Sequence, residues 1–208
     1  MQKGSHSKCG ATALVVAAFM IAANSLAAHG AGFRELRLNF RSARQGPTAE
    51  EGELIAKLWD ARLLKADPAQ VWQAVERLGQ MRSLAAIEDL ARLLALRRSF
   101  EGERTDEAVS EISLITIGQR YPAVGALTAI GLPALPALVM AIEKHPTGSV
   151  EADNATGAIF MIFRDDPAGA LKFLKKAKTA SPSRKAAQRL DYSISKTRDL
   201  LRNLNADS

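Results

Sequence analysis

Tyr121-Pro-Ala-Val-Gly-Ala-Leu-Thr-Ala-Ile-Gly-Leu-Pro-Ala-Leu-Pro-Ala-Leu-Val-Met-Ala-Ile-Glu-Lys-His145 is the stretch whose reading decides the fold. No charged residue occurs from Pro122 to Ile142, a length that raises the question of a membrane span. Gly125, Gly131, Pro133 and Pro136 argue for two short helices instead. Gly131 suits a left-handed position past a helix end, and Pro133 and Pro136 suit the first turn of the next helix, nearer Ala134. Leu135, Leu138, Val139 and Ile142 recur at 3/4 spacing and form one buried stripe. Alanines at 123, 126, 129, 134, 137 and 141 let helix axes approach closely. The expectation is a buried pair folded back through Gly131-Leu-Pro133, with other helices packed on both of its sides.

Working outward, helix starts punctuate the chain. Thr48-Ala-Glu-Glu51 reads as a capping box opening a helix to about Lys65. Asp67-Pro68 begins one that runs to Gly79, and Ser83 caps one that ends at Arg97-Arg98. Ser99 to Arg104 reads as loop, and Thr105 caps a helix carrying Val109, Ile112, Leu114, Ile115 and Ile117. Ser149, Asp166-Pro167 and Ser181-Pro182 start the remaining three helices. The last is polar, with Leu190, Ile194, Leu200, Leu201 and Leu204, as suits a helix capping the end of a stack. The class is all-α.

Ala126-Leu-Thr-Ala-Ile-Gly-Leu-Pro-Ala-Leu-Pro-Ala-Leu138 resembles a HEAT-type repeat of the short bacterial kind. Ala74-Val-Glu-Arg-Leu-Gly79, followed by Leu84, Ile87, Leu90 and Leu94, is similar, and Asp166 to Leu174 keeps the second helix of such a unit. The resemblance implies an α-solenoid of about four antiparallel helix pairs, a HEAT-like superhelix that presents an extended binding surface. Gly79 and Gly131 stand further apart than one unit of about 40–47 residues, so an insertion or extra helix separates them.

The first 28 residues have a different character. Lys3 and Lys8 precede an apolar run from Ala11 to Ala23, with small residues at Ser25 and Ala27. This is the pattern of a Sec-type signal peptide cleaved after Ala27 or Ala28, with an uncleaved N-terminal anchor as the alternative, and it implies an exported, periplasmic or secreted protein. Residues 29–47 then form an arm or short amphipathic segment, and 48–208 form the helical domain. In the arm, Arg34, Arg37, Arg41 and Arg44 share one helical face beside Phe33, Leu36 and Phe40, a pattern able to lie on an anionic membrane.

Charge is unevenly distributed. The net charge is +6; residues 1–28 hold two Lys and no acid, and from Pro167 onward ten Lys or Arg stand against three Asp. That leaves the middle of the chain near −3, so the molecule is electrically bipolar. Lys172, Lys175, Lys176, Arg184, Lys185 and Arg189 belong to the basic end. Export and the scarcity of aromatics among them argue against nucleic acid, leaving a plain solvated helix, an acidic protein partner, an acidic polymer of the envelope or an anionic membrane surface. Trp59 and Trp72 are the aromatic anchors to consider for a protein partner, although their leucine-rich surroundings fit core positions.

Catalytic and metal patterns are missing. The sequence contains no H-E-x-x-H, C-x-x-C, G-x-S-x-G, Walker A or G-x-G-x-x-G motif. Cys9 lies in the leader, so the mature chain has no thiol for a disulfide, a metal or nucleophilic attack. His145, oriented by Asp165 or Asp166, would be the residue to test for an enzyme with an unrecognised site. Glu101, Glu103, Asp106, Glu107 and Glu111 lack the spacing of a Ca²⁺ loop and read as solvated surface. Asn154-Ala-Thr156 matches a glycosylation sequon but falls inside a helix. The expectation is a non-enzymatic, cofactor-free scaffold that binds another protein.

Overall fold

Thr48 and Glu51 open the first helix reciprocally: the Glu51 N–H donates to Thr48 Oγ1 at 3.2 Å, and the Thr48 N–H donates to Glu51 Oε2 at 2.9 Å. The computed structural model describes residues 46–98, 114–181 and 183–206. Those residues carry ten α-helices and one 3₁₀ turn, and no strand occurs among them. The chain is all-α. The helices are α1 (Ala49–Leu58), α2 (Ala61–Ala66), α3 (Pro68–Gln80), α4 (Ile87–Arg92) and α5 (Leu114–Arg120). They continue with α6 (Pro122–Ile130), α7 (Leu135–Lys144), α8 (Val150–Ile162), α9 (Pro167–Thr179) and α10 (Arg184–Ala206).

Several expected boundaries move. The helix read as running to Lys65 stops at Leu58, because the Asp60 carboxylate accepts the Arg62 N–H at 2.8 Å and starts a new helix. Ser83 does not cap a helix. It closes α3 instead, donating its N–H to the Leu78 carbonyl while the Arg82 N–H reaches Gly79, with Arg82 at φ 51°. This is a Schellman-type ending built on an arginine where glycine is usual. Consequently α4 is only six residues long and ends at Arg92, not at Arg97-Arg98. The segment with Thr105, Val109, Ile112 and the acidic cluster lies outside the described residues, as do Pro182 and everything before Gly46.

The Ser83 hydroxyl is buried beside α1 without a hydrogen bond of normal geometry. It still acts on Glu51, whose carboxyl is held below its ordinary range chiefly by Ser83 and then by the Thr48 N–H, with burial working the other way. A carboxylate with a depressed folded pKa adds stability above its unfolded pKa and loses it as pH falls through the folded value. Glu51→Gln is therefore expected to lower the urea midpoint at neutral pH. In acid, where Glu51 itself is protonated, the variant and the wild type should coincide; an equal gap at both pH values would remove the charge from the account.

The 121–145 stretch forms two helices, but not a folded-back pair. α6 and the segment Leu132–Lys144 are bent by 114° at the break. Gly131 makes the corner with φ 82° and ψ −142°, a region open essentially to glycine alone. Leu135, Leu138 and Ile142 are buried as expected, and Val139 is half-buried. No single described helix is long and apolar enough to cross a membrane, and α6 with the following segment passes such a test only as a bent pair. α6 packs on α3 and α8 more extensively than on α7.

Contacts run along a row of helices in which α3 meets α6, α6 meets α8, and α8 meets α10. Beside that row, α1 lies on α3, α4 on α6 and α7, α7 on α8 and α10, and α9 on α10 and α8. α8 shares the centre of the packing with the 121–145 pair. From Ala152 to Phe160 only Asp153 is not buried, which is why its sequence shows little amphipathic periodicity. Its buried polar residues are matched. Asn154 donates to the Leu94 carbonyl at 2.7 Å, satisfying a group freed by the early end of α4. The Thr156 and Ser193 hydroxyls stand 2.9 Å apart, joining α8 to α10, and Lys196 Nζ reaches Asp153 at 2.5 Å. Asn154 is thus a core residue, with its side-chain amide engaged across helices.

Candidate interaction surface

α1 ends at Leu58, so Trp59 leaves the helix instead of continuing its buried stripe. Its side chain is not in the core, where the surrounding leucines would place it: Trp59 is 45% exposed. Two residues of α4 hold it. The indole N–H donates to Asp89 Oδ1 at 3.0 Å, and the Arg92 guanidinium lies 5.9 Å from the ring centroid. Arg92 in turn sits 3.6 Å from Asp89. An exposed tryptophan already held at its N–H edge and near one ring face loses little rotamer freedom when a partner covers it, and Trp and Arg are residue types that dominate binding energy. Neither Asp89 nor Arg92 is legible as part of this cluster in the sequence, since it depends on α4 docking beside the end of α1.

Trp72 behaves differently. It is half-buried on α3, and its indole N–H is enclosed without a hydrogen-bond partner. Arg98 covers the ring at 5.5 Å and pairs with Glu76 at 2.5 Å. Trp72 is therefore covered by Arg98 and less exposed than Trp59.

The basic residues of the last two helices divide into two groups. Arg189 is half-buried and donates to the Glu143 carbonyl, tying α10 to the end of α7; this structural role accounts for its charge. Lys178 pairs with Asp191 at 2.6 Å. Lys172, Lys175, Lys176, Arg184 and Lys185 are exposed and make no ion pair among the described residues. Arg34, Arg37, Arg41 and Arg44 lie outside the described residues.

His145 ends α7 with Nδ1 4.0 Å from Glu151 Oε1, so the carboxylate it faces is neither Asp165 nor Asp166. Among the described residues no three His, Cys, Asp or Glu side chains gather in a way that could hold a metal. A shallow groove between α1 and α3 is lined by Leu54, Lys57, Gln70, Gln73, Ala74 and Arg77. Comparison with known proteins adds no assignment: no family model, curated protein or solved structure matches the chain.

Proposed function

We propose that this chain is an exported, non-catalytic scaffold of the helical-repeat type, resembling HEAT repeats, that binds another protein through the surface around Trp59. The observation that carries the reading is the exposure of Trp59 combined with its fixation by Asp89 and Arg92. Exposed indole that is already ordered has a high ratio of binding energy to entropy cost. The repeat reading draws support from the pairing of α1 with α3, α4 with α6, α7 with α8 and α9 with α10. Neighbouring pairs also touch through α3, α6, α8 and α10, as stacked helix pairs do. Export rests on the leader pattern of residues 1–28.

Crosslinking in the native host with a C-terminal tag tests the function. Wild-type chain is expected to retain a reproducible envelope protein, and Trp59→Ala to lose that crosslink while its thermal midpoint stays close to wild type. Persistence of the same crosslinks in Trp59→Ala would remove this surface from the proposal. Export is checked separately by N-terminal sequencing of the mature chain, expected to begin after Ala27 or Ala28.

A further inference from the structure

We infer that the outer face of α9, together with the first turn of α10, is a docking face for an anionic lipid bilayer. This goes beyond the Trp59 reading and does not depend on it. Lys172, Lys175 and Lys176 fall at helical spacing on the side of α9 opposite Ala170 and Leu174, which are buried. Arg184 and Lys185 stand across the short 180–183 connection, and α9 and α10 pack on each other. Nearby acids leave this group largely uncompensated. Asp191 is engaged by Lys178, the Glu143 carboxylate accepts from Ser181, and Asp166 caps the N-terminus of α9 at the Gly169 N–H. Asp165 lies 3.6 Å from Arg164.

Intramolecular stability does not explain the arrangement at α10. Positive charge is unfavourable at a helix N-terminus, yet α10 begins with Arg184 and Lys185, whereas α1, α4 and α8 carry acids in their first turns. An external anionic surface would reverse the sign of that interaction. The composition of the face favours a bilayer over an acidic protein. Protein interfaces centre on apolar and aromatic residues and are depleted in lysine. Here lysine predominates, and no large apolar side chain of α9 or of the first two turns of α10 is exposed. Lysine is a mobile point charge without bidentate geometry, which suits headgroups that diffuse and have no fixed register.

The test is vesicle flotation of the mature full-length chain. Phosphatidylcholine vesicles are compared with vesicles of equal parts phosphatidylcholine and phosphatidylglycerol, at low and high salt. Wild type is expected to float only with the anionic vesicles and to be released by salt. The K172E/K175E/K176E variant is expected to partition about tenfold more weakly or worse, and R184E/K185E to weaken partitioning as well. K57E/K65E, on α1 and α2, should behave as wild type, and so should Trp59→Ala, which keeps this result separable from the partner test. Should the glutamate triple variant fail to fold, K172Q/K175Q/K176Q gives the same reading with a smaller charge change. Wild-type affinity in the triple variants would place any lipid binding elsewhere and overturn the proposal. So would wild-type chain that ignores anionic vesicles but is held by a heparin column, which would indicate a soluble polyanion.

Discussion

Phe160→Ala is expected to destabilise the fold by about 3–5 kcal/mol, the range for removing a buried aromatic ring. Phe160 is 2% exposed and sits on α8, which touches α5, α6, α7, α9 and α10. Collapse around the void would be poor. On α8 its i−3 and i−4 neighbours are Gly157, which has no side chain, and Thr156, whose hydroxyl is tied to Ala152 and Ser193, so whole helices would have to move. For a domain of this size about 2–4 °C is lost per kcal/mol, giving a fall in Tm of roughly 6–20 °C. Thermal and urea unfolding followed by circular dichroism measure it. A fall of less than about 2 °C would mean that Phe160 is not enclosed by the surrounding helices.

Gly79→Ala carries the second large effect, and its sign is diagnostic. Within a helix, replacing glycine by alanine ordinarily gains about 1 kcal/mol from backbone entropy. Here a Cβ on residue 79 would stand 2.6 Å from Ala126 Cα and 2.8 Å from Ala126 Cβ, where α3 crosses α6. One contact is with backbone, so no rotamer change relieves it; the helices must separate. The net expectation is a loss of about 1–3 kcal/mol. Adding Ala126→Gly should rescue only part of it, because the clash with the Ala126 Cα remains. A stabilised Gly79→Ala protein would show that α3 and α6 do not approach this closely.

Gly79 also marks where motif reading and structure part. In sequence it aligns with Gly131 as a helix-end glycine. Gly131 takes that role, at positive φ, whereas Gly79 lies within α3 and serves close approach, leaving Arg82 to make the left-handed turn. Both positions demand glycine for different reasons, one conformational and one steric, and a linear pattern cannot separate them.

The interaction surface was legible only in pieces. The lysines of α9 stand out by spacing and composition, and their exposure follows from the buried stripe on the opposite side of the helix. Trp59 was visible as a residue but not as an exposed one. The step that exposes it is the Asp60 side chain bonding to the Arg62 N–H, which ends α1 a full turn before the apolar pattern does.

Local chemistry therefore determined much of this protein from the sequence alone: the all-α class, the capping box at Thr48, the caps at Ser149 and Asp166, the positive φ at Gly131 and the uneven charge. Each depends on residues within a few positions of one another, where backbone sterics and hydrogen bonding act directly. Tertiary structure alone decided that α8 shares the centre of the packing with the 121–145 pair, that Asn154 satisfies Leu94 sixty residues away, and that Asp89 and Arg92 hold Trp59. Those outcomes depend on which helices come together in space, and burial on every side erases the periodicity that would reveal them in the chain.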